Sequence, residues 1–233
     1  MNGIKYYKKT LTLSLYCLAG AFLVWYVISP FAVNQKPFVI WKTIYGRLSI
    51  IISFISFFWL AYFKILWKLR WKLFRQIFFD QPNLSGTWMG YLKSDYLKEG
   101  KSIDPIKIVF FINQPSFFEI RITSMSSASA FFSFGEVLQF DLSNGMIRLL
   151  YQYSTQKRVP HSNNEQQGAS DLFLYGDLMA GHYWTIVKTS GFIRIHKLSE
   201  ERFSSFEDAD KTVGNSPVVI DCLKAVQDPG LLP

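Results

Sequence analysis

Leu149-x-Tyr151-x-Tyr153 and Tyr183-Trp184-Thr185 carry hydroxyls at every second position of short β-branched and aromatic runs. Side chains two apart on a strand share a face. Tyr151 therefore sits with Tyr153, Tyr183 with Thr185 and Val187, and Arg121 with Thr123. A tyrosine ring offers a flat apolar surface with a polar tip, and an arginine fork binds phosphate oxygens through paired N–H donors. Gathered in one dry cup, these residues would stack nucleobases and hold phosphates. The same rings would equally serve as core filling with hydroxyls at a rim.

Catalytic patterns are thin by comparison. Gly100-Lys101-Ser102 ends like a phosphate loop, but Asp95 stands where the first glycine is required, and no helix follows. His161, His182 and His196 lack metal-ligand spacing, and there is no G-x-S-x-G elbow. The carboxylates are single and mostly in loops. A binding protein is expected rather than an enzyme, with no metal and no cofactor.

The elements that would position the cup are strands. Candidate strands are Ser85–Lys93, Ile106–Ile112, Phe117–Ser124, Ser127–Phe134, Val137–Asp141, Met146–Tyr153, Asp171–Tyr175, Gly181–Lys188 and Phe192–Lys197. Ser143-Asn144-Gly145 and Thr189-Ser190-Gly191 read as tight hairpin turns. Roughly eight short antiparallel strands suggest a sandwich or a closed up-and-down barrel, whose interior admits side chains or one small ligand. Gly86-x-Trp88 on the first strand resembles the lipocalin-type signature, in which the indole plugs one end of a barrel.

Ahead of the strands lie two uncharged apolar stretches, Leu11–Ile28 and Leu48–Phe63. About 20 apolar residues cross a bilayer. The first stretch suffices alone, and the second does so over Ile44–Trp67, where Arg47 and Lys64 snorkel. Cations flank the outer ends of both, which predicts cytoplasmic termini and a short outside loop. Neither span contains a charge that could serve an ion relay. Ser49, Ser53 and Ser56 share a helix face, where they either bring helices together or bond back to their own i−4 carbonyls. Trp67, Trp71, Phe74 and Phe78, interleaved with Lys68, Lys72 and Arg75, extend that helix along the headgroups.

Charge follows the same division. Residues 1–82 carry net +10, residues 83–198 carry +2 and residues 199–233 carry −4. The basic pI near 9.4 thus belongs to the anchor, and the near-neutral strand domain is a poor partner for DNA or RNA. The expected domains are a two-span hairpin over 1–82, a cytoplasmic β-barrel over 83–198 and an acidic tail over 199–233. Cys17 and Cys222 fall in different solvents by this topology, so no disulfide joins them.

The order of features resembles the two-transmembrane β-barrel effectors that accompany bacterial cyclic-oligonucleotide synthases in CBASS anti-phage defence. In the barrel the resemblance rests on Leu84-Ser85-Gly86-Thr87-Trp88 with Gly90 and Ser94, on Ile112-Asn113-Gln114, and on Arg121-Ile122-Thr123-Ser124. It continues through Leu149-x-Tyr151-x-Tyr153, Gln167-Gly168-Ala169 with Leu172, and Leu178-x-x-Gly181-x-Tyr183-Trp184-Thr185, ending in Gly191-Phe192-Ile193-Arg194. It implies a sensor of the bacterial inner membrane. The barrel would take up a cyclic dinucleotide, the protein would form homo-oligomers, and the spans would breach the lipid bilayer. Arg121, Thr123, Tyr151, Tyr153, Tyr183 and Thr185 are the ligand candidates it carries over. A basic residue is expected near Val187, where Lys188 is the nearest. Two rival classes stand beside it: a membrane-tethered lipocalin-like carrier of an apolar ligand, and a scaffold whose barrel is filled.

Overall fold

The computed structural model describes residues 13, 14, 16–22, 24, 25, 37–68, 81–141, 146–155 and 167–227. The chain divides into two compact units, Met1–Gln81 and Pro82–Pro233.

In the first unit the described residues between Leu13 and Trp25 are helical, and α1 runs Pro37–Lys64 before a 3-10 turn, Leu66–Lys68. Trp59 Nε1 donates to Ser14 Oγ at 3.0 Å, so the two helices touch. The apolar stretch Leu48–Phe63 lies within α1, and the expected span Ile44–Trp67 runs past its end into the 3-10 turn. Among the described residues, however, no helix is long and apolar enough to cross a membrane. Ser49 Oγ bonds back to Tyr45 O at 2.9 Å, so this serine is satisfied within its own helix. Parts of the first expected span, and the juxtamembrane residues Trp71, Phe74 and Phe78, lie outside the described residues.

The second unit begins with β1 (Gly86–Ser94), β2 (Leu97–Lys98), β3 (Lys101–Ser102), β4 (Ile106–Asn113) and β5 (Arg121–Met125). It continues with β6 (Ala130–Asp141), β7 (Met146–Thr155), β8 (Gln167–Tyr175), β9 (Leu178–Thr185) and β10 (Ser190–Ser199). Eight strands close into a barrel in the order β1-β10-β9-β8-β7-β6-β5-β4. Every neighbouring pair is antiparallel, so the expected up-and-down barrel is what forms. β2 and β3 make a separate hairpin. Its Glu99 and Gly100 have φ of 52° and 77°, the double left-handed turn that a two-residue connection needs.

Three strand expectations change. Ser127–Phe134 and Val137–Asp141 merge into β6 across a bulge at Ser133/Gly135. Phe117 and Ile120 leave the ladder and bury their side chains instead. β9 ends at Thr185, and residues 186–189 form the turn, closed by Thr185 N to Thr189 O at 2.8 Å. Ser143-Asn144-Gly145 lies outside the described residues.

One end of the barrel is plugged with apolar side chains. Trp88, Phe110, Ile112, Leu149, Leu172, Met179 and Ile195 are almost wholly buried in one cluster. The indole of Trp88 donates to Leu84 O at 2.9 Å, and Leu84 N donates to Gln114 Oε1 at 2.9 Å. Lys197 Nζ reaches Asn83 O at 3.2 Å, which ties the entering chain to the same end.

The segment expected to be an acidic tail folds onto the barrel. α2 (Phe206–Val213) starts at Ser205, whose side chain accepts from Asp208 N, and α3 (Pro217–Gln227) follows. The acidic groups sit in the first turn of α2, where the helix dipole favours them. Ala209 and Val219 pack against Met89, Val109 and Phe111, the outward side chains of β1 and β4. Lys107 Nζ ties the pad down through Asp210 Oδ1 at 2.6 Å and Gly214 O at 3.0 Å. Because this pair is only partly buried and still reaches solvent, Lys107→Ala is expected to cost about 1 kcal/mol, read as a shift in the urea midpoint. On α3 the buried Cys222 thiol is pushed up to about 11 by loss of water, a rise that neighbouring Arg194 opposes.

Candidate functional site: the tyrosine-lined end of the barrel

The end opposite Trp88 has a different lining. Register fixes it as two rows across the β7–β8–β9 wall. Tyr151 pairs with Ser170, and Ser170 with Tyr183; one step nearer the mouth, Tyr153 pairs with Gly168, and Gly168 with Thr185. Tyr183 is followed by Gly191 on β10, which pairs with Ser94 on β1. Large and small side chains thus alternate around the wall.

The glycines matter because of what stands over them. A Cβ on Gly168 would lie 2.5 Å from Tyr153 Oη, and one on Gly191 would lie 2.6 Å from Tyr183 Cε1. Each ring therefore leans into the space that its cross-strand glycine leaves. Tyr151 and Tyr153 are 5.8 Å apart by ring centroid, and Phe110 and Phe131 meet them edge-on at 6.1 and 5.6 Å. Ser124, Thr155 and Ser170 add buried hydroxyls. The Ser170 hydroxyl lies beside that of Tyr151 and has no further partner among the described residues.

Burial raises all three tyrosine hydroxyls above the ordinary phenol range. Ser170 tempers the rise at Tyr151, and Ser94 tempers it at Tyr183. The cup thus presents neutral O–H groups that can donate as well as accept. The folded chain holds these protons more tightly than the unfolded chain does. Their contribution to stability is complete below the ordinary tyrosine value of about 10 and is lost as pH rises beyond it. The urea midpoint should be insensitive to these groups through neutral pH and should fall above about pH 10.

The structure gathers four of the six sequence candidates and separates two. Tyr151, Tyr153 and Tyr183 share the cup. Thr185 stands at its rim, with its hydroxyl 2.6 Å from Thr189 Oγ1, so it shapes the β9–β10 turn. Arg121 pairs with Asn113 at the plugged end, and its side chain is 72% exposed in a salt bridge to Glu119. Thr123 shares that outer face, because Ile122 and Ser124 take the inward positions of β5. Lys188 belongs to the mouth turn at φ 60°, so no strand face is assigned to it. Missed from the sequence were Ser94, Ser124, Thr155, Ser170 and the two glycines. Their signal was the same period of two, but register was needed to show which small residues oppose a tyrosine.

Across the mouth half of the barrel, the described inward positions carry no lysine or arginine. Two carboxylates border the tyrosines: Glu136 pairs with Tyr151 across β6 and β7, and Asp95 accepts from Ser190 Oγ at 2.9 Å near Tyr183. No group of three potential metal ligands occurs among the described residues.

A family model described as Cap15, cyclic dinucleotide receptor domain, matches residues 79–197, just over half of the chain. The chain belongs to the Cap15 family. It is also similar to CD-NTase-associated protein 15 of Staphylococcus schleiferi, with 28% identity over 155 residues, 65% of this chain and 79% of that protein. The resemblance to CBASS effectors drawn from the short motifs is thereby borne out at family level. The Cap15 match covers the barrel through Lys197, and helices α2 and α3 lie beyond it.

Proposed function

We propose that this Cap15-family chain is a bacterial anti-phage effector whose barrel captures a cyclic dinucleotide between Tyr151, Tyr153 and Tyr183. It then assembles and disrupts the inner membrane through its N-terminal helices. The observation that carries the reading is the pairing of tyrosine with glycine or serine around the end opposite Trp88, in a barrel of the receptor family. That lining supplies ring faces for two bases and hydroxyls for the phosphate and ribose oxygens. With cations absent from the described upper wall, neutral donors carry the phosphate contacts there. Arg121 has no part in them.

Support for the membrane step is the surface of α1, where Ile50, Phe54, Phe57 and Leu60 are each more than half exposed. A contiguous apolar stripe of this kind marks a lipid or protein contact. Both termini would then face the cytoplasm, following the cations.

The test is calorimetry of the full chain in detergent micelles against cyclic dinucleotides of differing bases, followed by dye leakage from vesicles. One member should bind, raise stability by about 2.7 kcal/mol at 100 times its Kd, and trigger leakage. A panel that gives no heat overturns the sensing step. Binding without leakage overturns the membrane step.

A further inference from the structure

A closed barrel removes strand edges only where neighbours overlap along their whole length. Here two overlaps fall short on either side of the five-residue β5. On β4 the ladder to β5 spans Val109–Asn113, leaving Ile106–Ile108 over. That overhang is already attended to, since Lys107 bonds to Asp210 and Gly214 of the helical pad. On β6 the ladder to β5 spans only Ala130–Phe132, although β6 runs on to Asp141. Ser133 Oγ takes the next donor, Ile122 N, at 2.8 Å, and the bulge at Gly135 ends the contact. From Gly135 to Gln139 the strand pairs with β7 alone. No backbone bond from the connection preceding β5 meets it among the described residues.

An unpaired edge asks for another strand, because its N–H and C=O groups are spaced for a ladder. Natural edges are blunted by lysine, by proline, by a covering element, by a bulge or by an inward charge. The β6 sequence Ala-Phe-Phe-Ser-Phe-Gly-Glu-Val-Leu-Gln-Phe-Asp has neither lysine nor proline, its bulge stands at the start of the open stretch, and its one inward charge is Glu136. The one charge within the open stretch, Glu136, pairs with Tyr151 on the inward face and accepts from Ser133 Oγ, so the outward face of the stretch is uncharged. Its outward side chains are apolar and open to solvent: Phe134 is 60% exposed and Val137 is 56% exposed. A partner must be extended, uncharged along its edge and apolar on its outer face. The same segment of a second copy meets all three requirements, and antiparallel pairing about a two-fold axis is self-complementary.

We infer that Gly135–Gln139 of β6 is the self-association edge of this protein, pairing antiparallel with the same stretch of a second copy. The inference names the surface for the assembly step proposed above and rests on that reading, but it is tested separately from ligand binding.

The experiment uses the full chain in detergent micelles with Cys17→Ser, which leaves only the buried Cys222. Val137→Cys is oxidised across a protein concentration series, with and without the cyclic dinucleotide panel, beside Trp184→Cys as an equally exposed control on β9. Facing positions near a two-fold bring Cβ atoms within about 5.5 Å, inside disulfide reach. The expected result is a disulfide dimer as the main product from Val137→Cys and only a trace from Trp184→Cys. Val137→Lys, on a side chain already exposed, should fold and melt as wild type but lose self-association in sedimentation. Equal cross-linking at the two positions, or unchanged assembly of Val137→Lys, overturns the inference. Should no cyclic dinucleotide bind the wild type, the sensing proposal falls, while the cross-linking pattern at high protein concentration still decides the edge.

Discussion

Trp88→Ala is expected to destabilise the barrel by about 3–5 kcal/mol, the cost of deleting a large buried aromatic without collapse of its surroundings. The indole is 1% exposed and packs in the plugged end among Phe110, Ile112, Leu172 and Ile195. It also makes one of the bonds that hold the entering chain, from Nε1 to Leu84 O at 2.9 Å. Truncation therefore opens a cavity and strands a buried carbonyl at once. For a unit of this size the melting midpoint should fall by about 2–4 °C per kcal/mol, or roughly 6–20 °C in all, followed by tryptophan-independent circular dichroism. Trp88→Phe separates the two terms. It keeps much of the volume and loses only the hydrogen bond, so it should cost about 1–3 kcal/mol. Equal losses from the two variants would mean that packing contributes little, contrary to the burial of this cluster.

How much of this was legible in the sequence depends on whether alternation or register was the deciding quantity. Alternation alone located most barrel strands, because a half-buried strand shows its period locally. It could not tell that Ser127–Phe134 and Val137–Asp141 were one strand, since the bulge at Gly135 shifts the phase and mimics a turn. It paired Tyr151 with Tyr153 and Arg121 with Thr123 correctly by face, but sequence carries no label for inside. Asn113 opposite Arg121, and Gly168 opposite Tyr153, are the contacts that settle it, and they come from strands distant in sequence.

The helical pad was more readable than its acidic composition suggested. Ser205-x-x-Asp208 is a helix start, Pro217 suits a first turn, and Val219, Cys222 and Val226 recur at helical spacing. Net charge masked an apolar stripe that covers Met89, Val109 and Phe111. In the N-terminal unit, hydropathy marked the stretch over residues 48–63, and it lies within the helix α1.

Tyr183→Ala should weaken cyclic dinucleotide binding by about 1–3 kcal/mol, roughly 5- to 150-fold, if its ring stacks a base. Tyr153→Ala should do the same, whereas Arg121→Ala should leave affinity unchanged, because that guanidinium is outside the cup and engaged with Glu119. The rings of Tyr153 and Tyr183 are 7% and 6% exposed, so each truncation also costs stability, and binding must be measured well below the melting midpoint. Phenylalanine variants remove that ambiguity. Tyr183→Phe keeps the ring over Gly191 and the packing, and loses only the hydroxyl that Ser94 meets. A stacked base would tolerate it within about tenfold, the net worth of one hydrogen bond. An apolar guest, as a lipid carrier would hold, should bind Tyr183→Phe as well as or better than wild type, since no polar group is then left buried beside it. The pattern across Ala, Phe and Arg121→Ala variants, read by calorimetry with one nucleotide and one fatty acid, therefore separates sensor from carrier. A nucleotide affinity that ignores Tyr153→Ala and Tyr183→Ala alike would place the ligand somewhere other than this cup.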